Sequence, residues 1–404
     1  MIYIEENPEG VQSADIIVGI PSYNEAPLIS YPTEMASKGL IQFFGDKNSV
    51  IINCDNNSSD GTGEAFMNVR TEVPKIYIST PPDVRGKGNN LKNLFQKSCE
   101  LGAKAIVVVD ADLRSITPRW IKNLGEPLFE DFGFVAPIYV RHKCDGTITN
   151  NIAYPLIRSV YGRRVRQPIG GDFGFCGELA EIYLKSDIWS MAVSQFGIDI
   201  WMTTIAMTYY KPICQSFMGR PKVHKAKDPG ESLGPMFSQV LGTIFDMMIR
   251  YDYFWKEVRW SKPTAIFGFG LGEVEEPPPV TVNLERLYDK FERGFEIYDS
   301  SWKQILSPNV HRKLREVKAL TLSNFEFPAK LWAEILVDFA VGYKKNVIDR
   351  EELLDSLVPL YYGRTASYVI ETGPMTIQQA EELIEDQCII FERHKPYLIN
   401  KWFE

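Results

Sequence analysis

Short runs of branched apolar residues, each followed by a polar loop, constrain the fold of this chain more than any other feature. The runs are Asp15–Ile20, Ser49–Cys54, Pro74–Ile78 and Ile106–Val109. Their length and composition are typical of strands that are buried on both faces. Helical patterns lie between them, around Tyr31–Gly45, Gly63–Val69 and Asn89–Gly102. Strands that alternate with helices favour right-handed crossovers, so the first half of the chain is predicted to be an α/β domain with a mostly parallel, Rossmann-like sheet.

In an open α/β sheet, ligands bind beyond the carboxyl ends of the strands. The polar loops there are Pro21-Ser22-Tyr23-Asn24-Glu25, residues 55–62, and Asp110-Ala111-Asp112. Carboxylates at positions i and i+2 of a strand end can share a hard cation such as Mg²⁺ or Mn²⁺, which commonly adds substrate phosphates as ligands. The aspartate dyad therefore indicates diphosphate chemistry, although taken alone an ordinary strand-end turn explains it equally well.

Composition limits the class of protein. With 404 residues the chain is long enough for more than one domain, and its net charge of -8 argues against a nucleic-acid partner. The six cysteines contain no Cys-x-x-Cys pair, which disfavours a zinc site or a disulfide framework and suits a reducing compartment. Neither a signal peptide nor a membrane span is visible, so a cytoplasmic location is expected.

The chain changes character after Pro235, where apolar residues recur at helical spacing. Three stretches show the pattern: 284–298, Lys330–Tyr343 and Thr376–Arg393. We therefore predict an α/β domain over residues 1–234 and an appended, mainly helical domain over residues 235–404. The aromatic stripes of these helices are most simply core, and they are also compatible with a homodimer.

Several further segments have a structural and a functional interpretation. Glycines in Arg85-Gly86-Lys87-Gly88 would let a helix start approach a phosphate, although a solvated turn is equally consistent and the Walker A spacing is absent. Gly170-Gly171-Asp172 is either a tight turn or a sugar contact. Asp199 precedes a helix, where an aspartate is usually a cap. His224 stands between lysines, which more often marks a surface residue than a metal ligand.

Taken together, the ordered segments at 21–25, 55–62, 86–88 and 110–112 resemble nucleotide-sugar glycosyltransferases of the GT-A fold. Later segments narrow the resemblance: residues 141–149, 167–171, 197–199 and His224 are similar to the mannosylglycerate synthase and glucosyl-3-phosphoglycerate synthase families. These families are retaining transferases that make compatible solutes or their phosphorylated precursors. The match covers about the first 230 residues, and the helical region is similar to mannosylglycerate synthase only in length and texture.

The resemblance implies a role for each matching residue. The GDP- or UDP-hexose donor would be bound by Pro21, Tyr23, Asn24, Glu25, Asn56, Asn57, Lys87, Asp110 and Gly171. Asp112 and His224 would be the protein ligands of Mg²⁺ or Mn²⁺. Asp110, Asp172 and Asp199 would act in catalysis at the donor sugar. The helical domain would serve acceptor-side closure, oligomerisation or both.

The acceptor's carboxylate and hydroxyls would be held by Arg141, Gly146, Thr147 and Thr149, in the resemblance to these families. The phosphoglycerate-using enzymes carry arginine where this chain has Thr147, so the resemblance favours D-glycerate as acceptor. A cluster of arginines could compensate, which leaves 3-phosphoglycerate open; its members are Arg158, Arg163, Arg164 and Arg166.

Retention of configuration allows either a double displacement through Asp199 or attack of the acceptor on the leaving-group face. We favour the second, with Asp199 orienting sugar hydroxyls and stabilising positive charge at the anomeric carbon. Three rivals remain: a sugar-nucleotide pyrophosphorylase, a non-catalytic nucleotide-sugar sensor, and a transferase for a lipid or polysaccharide acceptor. The first would normally have a glycine-rich loop with Thr-Arg after the first strand, where this chain has Pro21–Glu25.

Overall fold

The structure is a computed structural model that describes residues 3–223, 234–268 and 275–404. These residues form two compact units. The first contains residues 3–140, 165–223, 264–268 and 275–278, and the second contains residues 141–164, 234–263 and 279–404. None of the described helices combines the length and the low polarity that a bilayer-crossing segment requires.

A single sheet organises the first unit. Its strands are β1 (Ile4–Glu6), β2 (Ile16–Ser22), β3 (Ser49–Asp55), β4 (Lys75–Ser79), β5 (Ala105–Val108), β6 (Phe134–Val140), β7 (Phe173–Cys176), β8 (Ile213–Pro221) and β9 (Ala265–Phe267). They lie in the order β1-β4-β3-β2-β5-β7-β6-β8-β9. Most neighbouring pairs are parallel, and β7 is antiparallel to both β5 and β6. The mostly parallel sheet confirms the predicted α/β class.

The helices of the first unit cover both faces of this sheet and bury its branched residues. They are α1 (Ser30–Phe44), α2 (Thr62–Asn68), α3 (Lys87–Glu100), α4 (Pro118–Gly125), α6 (Gly177–Lys185), α7 (Met191–Ser194) and α8 (Ile198–Thr208). Strand residues such as Val18 and Val107 share a core with Trp120 of α4. Burial of these apolar side chains, at about 25 cal/mol per Å², is the main force that holds the helices against the strands.

Helices make up the second unit. They are α5 (Tyr154–Tyr161), α9 (Gly234–Arg250), α10 (Asp252–Trp255), α11 (Leu284–Ile305), α12 (Pro308–Lys318), α13 (Ala329–Lys345), α14 (Arg350–Thr372) and α15 (Ile377–Phe403). The three stretches predicted from apolar spacing coincide with α11, α13 and α15, with Thr376 as the N-cap of α15, so the helical character of the C-terminal region is confirmed. Helix α11 packs on α14, and α15 packs on both α13 and α5.

The boundary between the units differs from the single division predicted at residue 234. Residues 141–164 belong to the helical unit, because Tyr154 of α5 packs in a cluster with Tyr368 and Ile384. Residues 264–268 belong to the sheet unit, because β9 pairs with β8. Both exchanges depend on contacts between residues far apart in sequence, which apolar periodicity does not report.

Candidate functional site

The antiparallel strand β7 brings two predicted site segments together. Val108 of β5 lies opposite Phe173 of β7, so the residue before β7 meets the turn that follows β5. As a result, the Asp110 backbone N–H donates to Asp172 Oδ1 at 2.9 Å. Asp172 has no exposed surface. A buried carboxylate needs partners, and this backbone donor is one of them.

Lys87 forms ion pairs with two predicted site carboxylates, Asp110 of the dyad and Asp199. Lys87 is the first residue of α3, and Asp199 lies in the first turn of α8. The Lys87 ammonium is 3.1 Å from Asp110 Oδ1 and 3.2 Å from Asp199 Oδ1. Three residues from distant parts of the sequence therefore converge at the carboxyl edge of the sheet.

A second lysine, Lys222, lies on the other side of Asp110. It follows β8, and its ammonium lies 2.9 Å from Asp110 Oδ2 and 2.8 Å from Asp172 Oδ2. It also donates to the Gly170 carbonyl at 2.8 Å. We refer to Lys87, Asp110, Asp172, Asp199 and Lys222 as the edge cluster. Sequence reasoning missed Lys222 because β8 was not recognised as a strand, and a strand end would have placed this lysine at the edge.

Tyr139 in β6 is the second residue that sequence reasoning missed. Its hydroxyl donates to Asp172 Oδ2 and lies 3.2 Å from the Gly170 carbonyl. The Lys222 ammonium lies 5.1 Å from the centre of the Tyr139 ring, within range of a cation–π contact. An isolated tyrosine in an apolar strand gives no sequence signal for such a role.

The charges of the edge cluster shift its pKa values in opposite directions. Burial lowers the pKa of Lys87, but the carboxylates of Asp110 and Asp199 outweigh it and hold the pKa above its ordinary value. Burial raises the pKa of Asp110, but Lys222 and Lys87 outweigh it and hold the pKa well below its usual range. Burial, helped by the charge of Asp110, raises the pKa of Asp199 despite Lys87. Asp110 is thus held as the anion, whereas Asp199 takes up a proton more readily.

Gly171 is required by the geometry of the edge cluster. Its φ is +84°, a conformation that side-chain-bearing residues rarely adopt. A Cβ at this position would lie 2.4 Å from Asp110 Oδ2 and 3.1 Å from the Lys222 ammonium. The absence of a side chain therefore allows the backbone to pass directly beside the charged groups.

The two predicted nucleotide loops are tied to each other by hydrogen bonds. The Asn24 N–H donates to Ser58 Oγ at 2.8 Å, and the Glu25 N–H donates to Thr62 Oγ1 at 2.9 Å. Asn24 and Asn57 have φ values of 53° and 54°, which asparagine tolerates better than most residues. The predicted loop residues are therefore brought together at the carboxyl ends of β2 and β3.

The remaining predicted donor residues differ in exposure. Pro21 is buried within β2, whereas Tyr23 is exposed and has the Arg85 guanidinium 5.1 Å from its ring centre. Asn56 is 4% exposed, and its Oδ1 has no hydrogen-bond partner among the residues that the structure describes. A buried acceptor of this kind is costly unless a ligand or water supplies a donor.

Gly86 and Gly88 were predicted to let a phosphate approach the start of α3, but in the structure they allow close packing against the backbone of α7. A Cβ on Gly86 would lie 2.2 Å from the Ser194 carbonyl oxygen, and one on Gly88 would lie 2.0 Å from that of Val193. The close approach is thus made by the chain's own segment at α7, and not left open for a phosphate. Lys87 is fixed by this packing while its ammonium reaches the edge cluster.

The predicted metal ligands are described only in part. Asp112 is half-buried in the turn after β5, and His224 lies outside the described residues. Within residues 3–223, 234–268 and 275–404, no three His, Cys, Asp or Glu side chains are grouped to hold an ion. Val223 nevertheless bonds the loop after the dyad, since its N–H donates to Ser115 Oγ and its carbonyl accepts from the Arg114 N–H, both at 2.9 Å. A single carboxylate such as that of Asp112 would suit Mg²⁺, which keeps several waters and commonly uses one or two carboxylates together with substrate phosphates.

The predicted acceptor residues belong to the second unit. Gly146 has a φ of +65°, and a Cβ there would lie 2.7 Å from Arg141 Nη1 and 3.8 Å from Thr149 Oγ1, so these three residues are neighbours. Thr147 is buried, and its Oγ1 lies 2.6 Å from the Tyr361 hydroxyl. The structure thus groups all four predicted residues around one turn.

Arg158, one of the arginines considered for phosphate binding, is buried inside the helical unit. Its guanidinium contacts Glu385 at 2.5 Å and Glu392 at 2.7 Å. Two carboxylates already balance its charge, so it forms neither a solvated face nor an open phosphate site.

The sheet and the edge cluster define an α/β domain with a cluster of charged side chains at the carboxyl ends of its strands. No protein-family model and no curated protein match the chain. Among solved structures, it is similar to glucosyl-3-phosphoglycerate synthase from Mycobacterium tuberculosis in complex with Mn²⁺, UDP and glucosyl-3-phosphoglycerate. That match has 21% identity, covers 58% of this chain and 80% of that one, and has a TM-score of 0.45. The same enzyme with Mg²⁺ and UDP gives 22% identity, 58% and 79% coverage, and a TM-score of 0.46.

Proposed function

We propose that this chain is a metal-dependent, retaining glycosyltransferase of the GT-A fold. It would transfer a glucosyl or mannosyl group from a GDP- or UDP-sugar to a small hydroxy acid, with D-glycerate favoured, to give a compatible solute. The observation that carries the proposal is the edge cluster. Three carboxylates and two ammonium groups meet where an α/β sheet binds ligands, beside a glycine that lets the backbone pass directly against Asp110 and Lys222.

Donor binding follows from the loops at this edge. The exposed Tyr23 offers a face for the nucleotide base, and the unpartnered Oδ1 of Asn56 would accept from a ribose or base donor. Asp112 and His224 would hold Mg²⁺ or Mn²⁺. When bound, the ion would neutralise the diphosphate as it leaves.

The edge cluster would act on the sugar. Asp110 is held as the anion by two lysines and accepts from sugar or ribose hydroxyls. The Lys87 ammonium donates to Asp199 Oδ2 at 3.3 Å and forms an ion pair with the same carboxylate, 3.2 Å from its Oδ1. A carboxylate engaged in this way is a weaker nucleophile, so we favour front-side attack by the acceptor hydroxyl, with Asp199 stabilising positive charge on the sugar ring. Intact-protein mass spectrometry checks this assignment, since a glycosyl–Asp199 adduct would contradict it.

Acceptor choice follows from the turn at Gly146. Arg141 has the bidentate geometry that suits a carboxylate. The absence of an arginine at Thr147, together with the internal pairing of Arg158, supports an unphosphorylated acceptor. Transfer to 3-phosphoglycerate is the alternative.

A matrix of donors and acceptors tests the proposal. GDP-glucose, GDP-mannose, UDP-glucose and UDP-mannose are each incubated with D-glycerate, 3-phosphoglycerate or lactate, with Mg²⁺ or Mn²⁺, and the product anomer is assigned by NMR. We expect an α-linked hexosyl glycerate from one donor. Tight donor binding without turnover on any acceptor would instead indicate a sensor, and pyrophosphate release from a sugar 1-phosphate and a nucleoside triphosphate would indicate a pyrophosphorylase.

Variants of the two proposed metal ligands test the metal site. We expect Asp112→Ala and His224→Ala each to abolish metal-dependent donor hydrolysis. Asp15→Ala and His394→Ala are matched controls, because Asp15 lies at the opposite end of β2 and His394 lies in α15. Equal loss of hydrolysis in the controls would show that the effect is not specific to metal binding.

A further inference from the structure

The turn that carries the predicted acceptor residues is fixed by helix α14. Thr147 Oγ1 lies 2.6 Å from the Tyr361 hydroxyl, and the Tyr368 hydroxyl donates to the Lys143 carbonyl at 2.9 Å. In the opposite direction, the Lys143 ammonium donates to the carbonyls of Thr372, Gly373 and Met375 at 2.7–2.8 Å. Cations are favourable at helix carboxyl ends, so Lys143 satisfies carbonyls at the end of α14 and in the short connection that follows it.

Two further bonds hold the chain directly after this turn. The Trp332 indole N–H donates to the Asn151 carbonyl at 2.7 Å, and the Gln387 side-chain amide donates to the Asn150 carbonyl at 2.8 Å. These donors come from α13 and α15. Side chains from three helices of this unit, α13, α14 and α15, therefore form hydrogen bonds with residues 143–151.

Thr147 is the residue whose placement carries the inference. It is 2% exposed, and its hydroxyl faces Tyr361, so it is poorly placed to contact an acceptor. It is adjacent to Gly146, whose α-carbon leaves room for the Arg141 guanidinium only because it has no side chain. A shift of Thr147 would therefore move Gly146 and with it the surface on which Arg141 rests.

We propose that Tyr361 is a positioning residue for acceptor recognition. By fixing Thr147, it holds the turn so that Arg141 presents its donors to the carboxylate of a small hydroxy acid. The proposal rests on the proposed function, and it assigns acceptor selectivity in part to a helix some two hundred residues away in sequence from the turn.

Kinetics of hydroxyl-deletion variants test this role. Tyr361→Phe and Thr147→Val each remove one partner of the bond with little change in shape. We expect the KM for D-glycerate to rise about three- to tenfold in each, as for loss of one buried hydrogen bond, with kcat and the KM for the donor unchanged. The double variant should match the single variants, because the two hydroxyls act as one unit.

Tyr343→Phe is the matched control. The Tyr343 hydroxyl also donates to a partner in the same unit, Asp246 Oδ1, at 3.1 Å, but it lies in α13 away from the turn. We expect it to lower the melting temperature without changing the KM for D-glycerate. An unchanged KM in Tyr361→Phe, or additive effects in the double variant, would overturn the proposal.

Calorimetry with D-glycerate separates this inference from the proposed function. If the wild-type chain binds D-glycerate without transferring sugar to it, weaker binding by Tyr361→Phe still supports the positioning role while the transferase proposal fails. If transfer occurs and Tyr361→Phe binds D-glycerate like the wild type, the transferase stands and the positioning role is rejected. If the wild type binds neither D-glycerate nor 3-phosphoglycerate, the assignment of the turn at Gly146 to acceptor binding is rejected.

Discussion

The Lys222 ammonium lies 2.8 Å from Asp172 Oδ2, and this aspartate has no exposed surface. Lys222→Met would remove the cation and leave a buried carboxylate with fewer partners. We expect a loss of about 3 kcal/mol in the free energy of unfolding, because breaking one side of a buried ion pair leaves an uncompensated charge. Urea denaturation of the variant and the wild type measures the difference.

Two comparisons show whether the unpaired charge of Asp172 causes the loss of stability in Lys222→Met. Adding Asp172→Asn to Lys222→Met should recover part of the lost stability, since the unpaired charge is removed. Lys104→Met should cost less than about 1 kcal/mol, because Lys104 is 71% exposed in its ion pair with Asp15. A double variant less stable than Lys222→Met alone would point to lost packing as the cause.

Gly171→Ala tests the close approach of the backbone to Asp110. The new Cβ would lie 2.4 Å from Asp110 Oδ2, so the carboxylate would have to move away from its lysines. We expect nucleotide binding, measured by calorimetry with UDP or GDP, to weaken about tenfold or more, as for loss of a charge-assisted hydrogen bond. Gly102→Ala is the control, because Gly102 also has a positive φ (+65°) but a Cβ there would meet nothing within 4 Å. It should share the backbone strain and retain nucleotide affinity.

Lys395 in α15 predicts a pH-dependent stability. Its side chain is buried and donates to the Val160 carbonyl at 2.8 Å, and burial lowers its pKa from 10.5 to about 7 despite the charge of Glu392. Between pH 7 and pH 10.5 the unfolded chain holds this proton and the folded chain does not. The free energy of unfolding therefore rises with pH in that window, by up to about 1.4 kcal/mol per pH unit from the titration of Lys395. It falls as the pH drops towards 7.

Comparison with Lys395→Met separates the contribution of Lys395 to the pH dependence of unfolding from that of the other titrating groups. Urea denaturation at pH 7, 8 and 9 should show that the wild type gains stability relative to Lys395→Met at each step. Lys345→Met, at the exposed end of α13, should run parallel to the wild type. A constant difference between wild type and Lys395→Met would mean that Lys395 has the same pKa in the folded and unfolded chain.

The strands that the sequence predicted are those with continuous branched apolar runs. They correspond to β2, β3, β4 and β5, and the helices between them were also predicted, because local periodicity reports burial on one or both faces. For the same reason Asp110 could be assigned to the carboxyl edge, since it directly follows a recognisable strand, and Lys87 could be assigned to the start of a helix. Local pattern was sufficient to identify these strands as elements, although it did not place β5 beside β2.

The part that could not be predicted depends on non-local pairing. Strand β7 is four residues long and antiparallel to its neighbours, so nothing near Asp172 indicates that it lies against Asp110. Lys222 and Tyr139 enter the site through β8 and β6, whose parallel pairing joins residues about 80 apart. Such contacts arise from the whole sheet, and a single sequence contains no local signal for them.

Asp55, which lies at the end of β3 and has no exposed surface, supports both of the loops that are proposed to bind the nucleotide. It accepts from Ser22 Oγ at 2.8 Å, from the Ser58 N–H at 2.7 Å and from the Tyr77 hydroxyl at 3.0 Å. Asp55→Asn replaces one acceptor oxygen with a donor, so we expect a loss of about 2 kcal/mol in unfolding free energy and weaker nucleotide binding, because Ser58 also anchors the Asn24 N–H.

Asp15→Asn provides the comparison that distinguishes a local effect on the loops from general loss of stability. Asp15 also accepts a backbone N–H, that of Asn48 at 3.1 Å, but it precedes β2 at the opposite edge of the sheet. Denaturation and nucleotide calorimetry on both variants should show some destabilisation in each and weaker nucleotide binding only in Asp55→Asn. If both variants bound UDP or GDP with equal affinity, the two loops would not form the nucleotide site, because disturbing their shared carboxylate would have left binding intact.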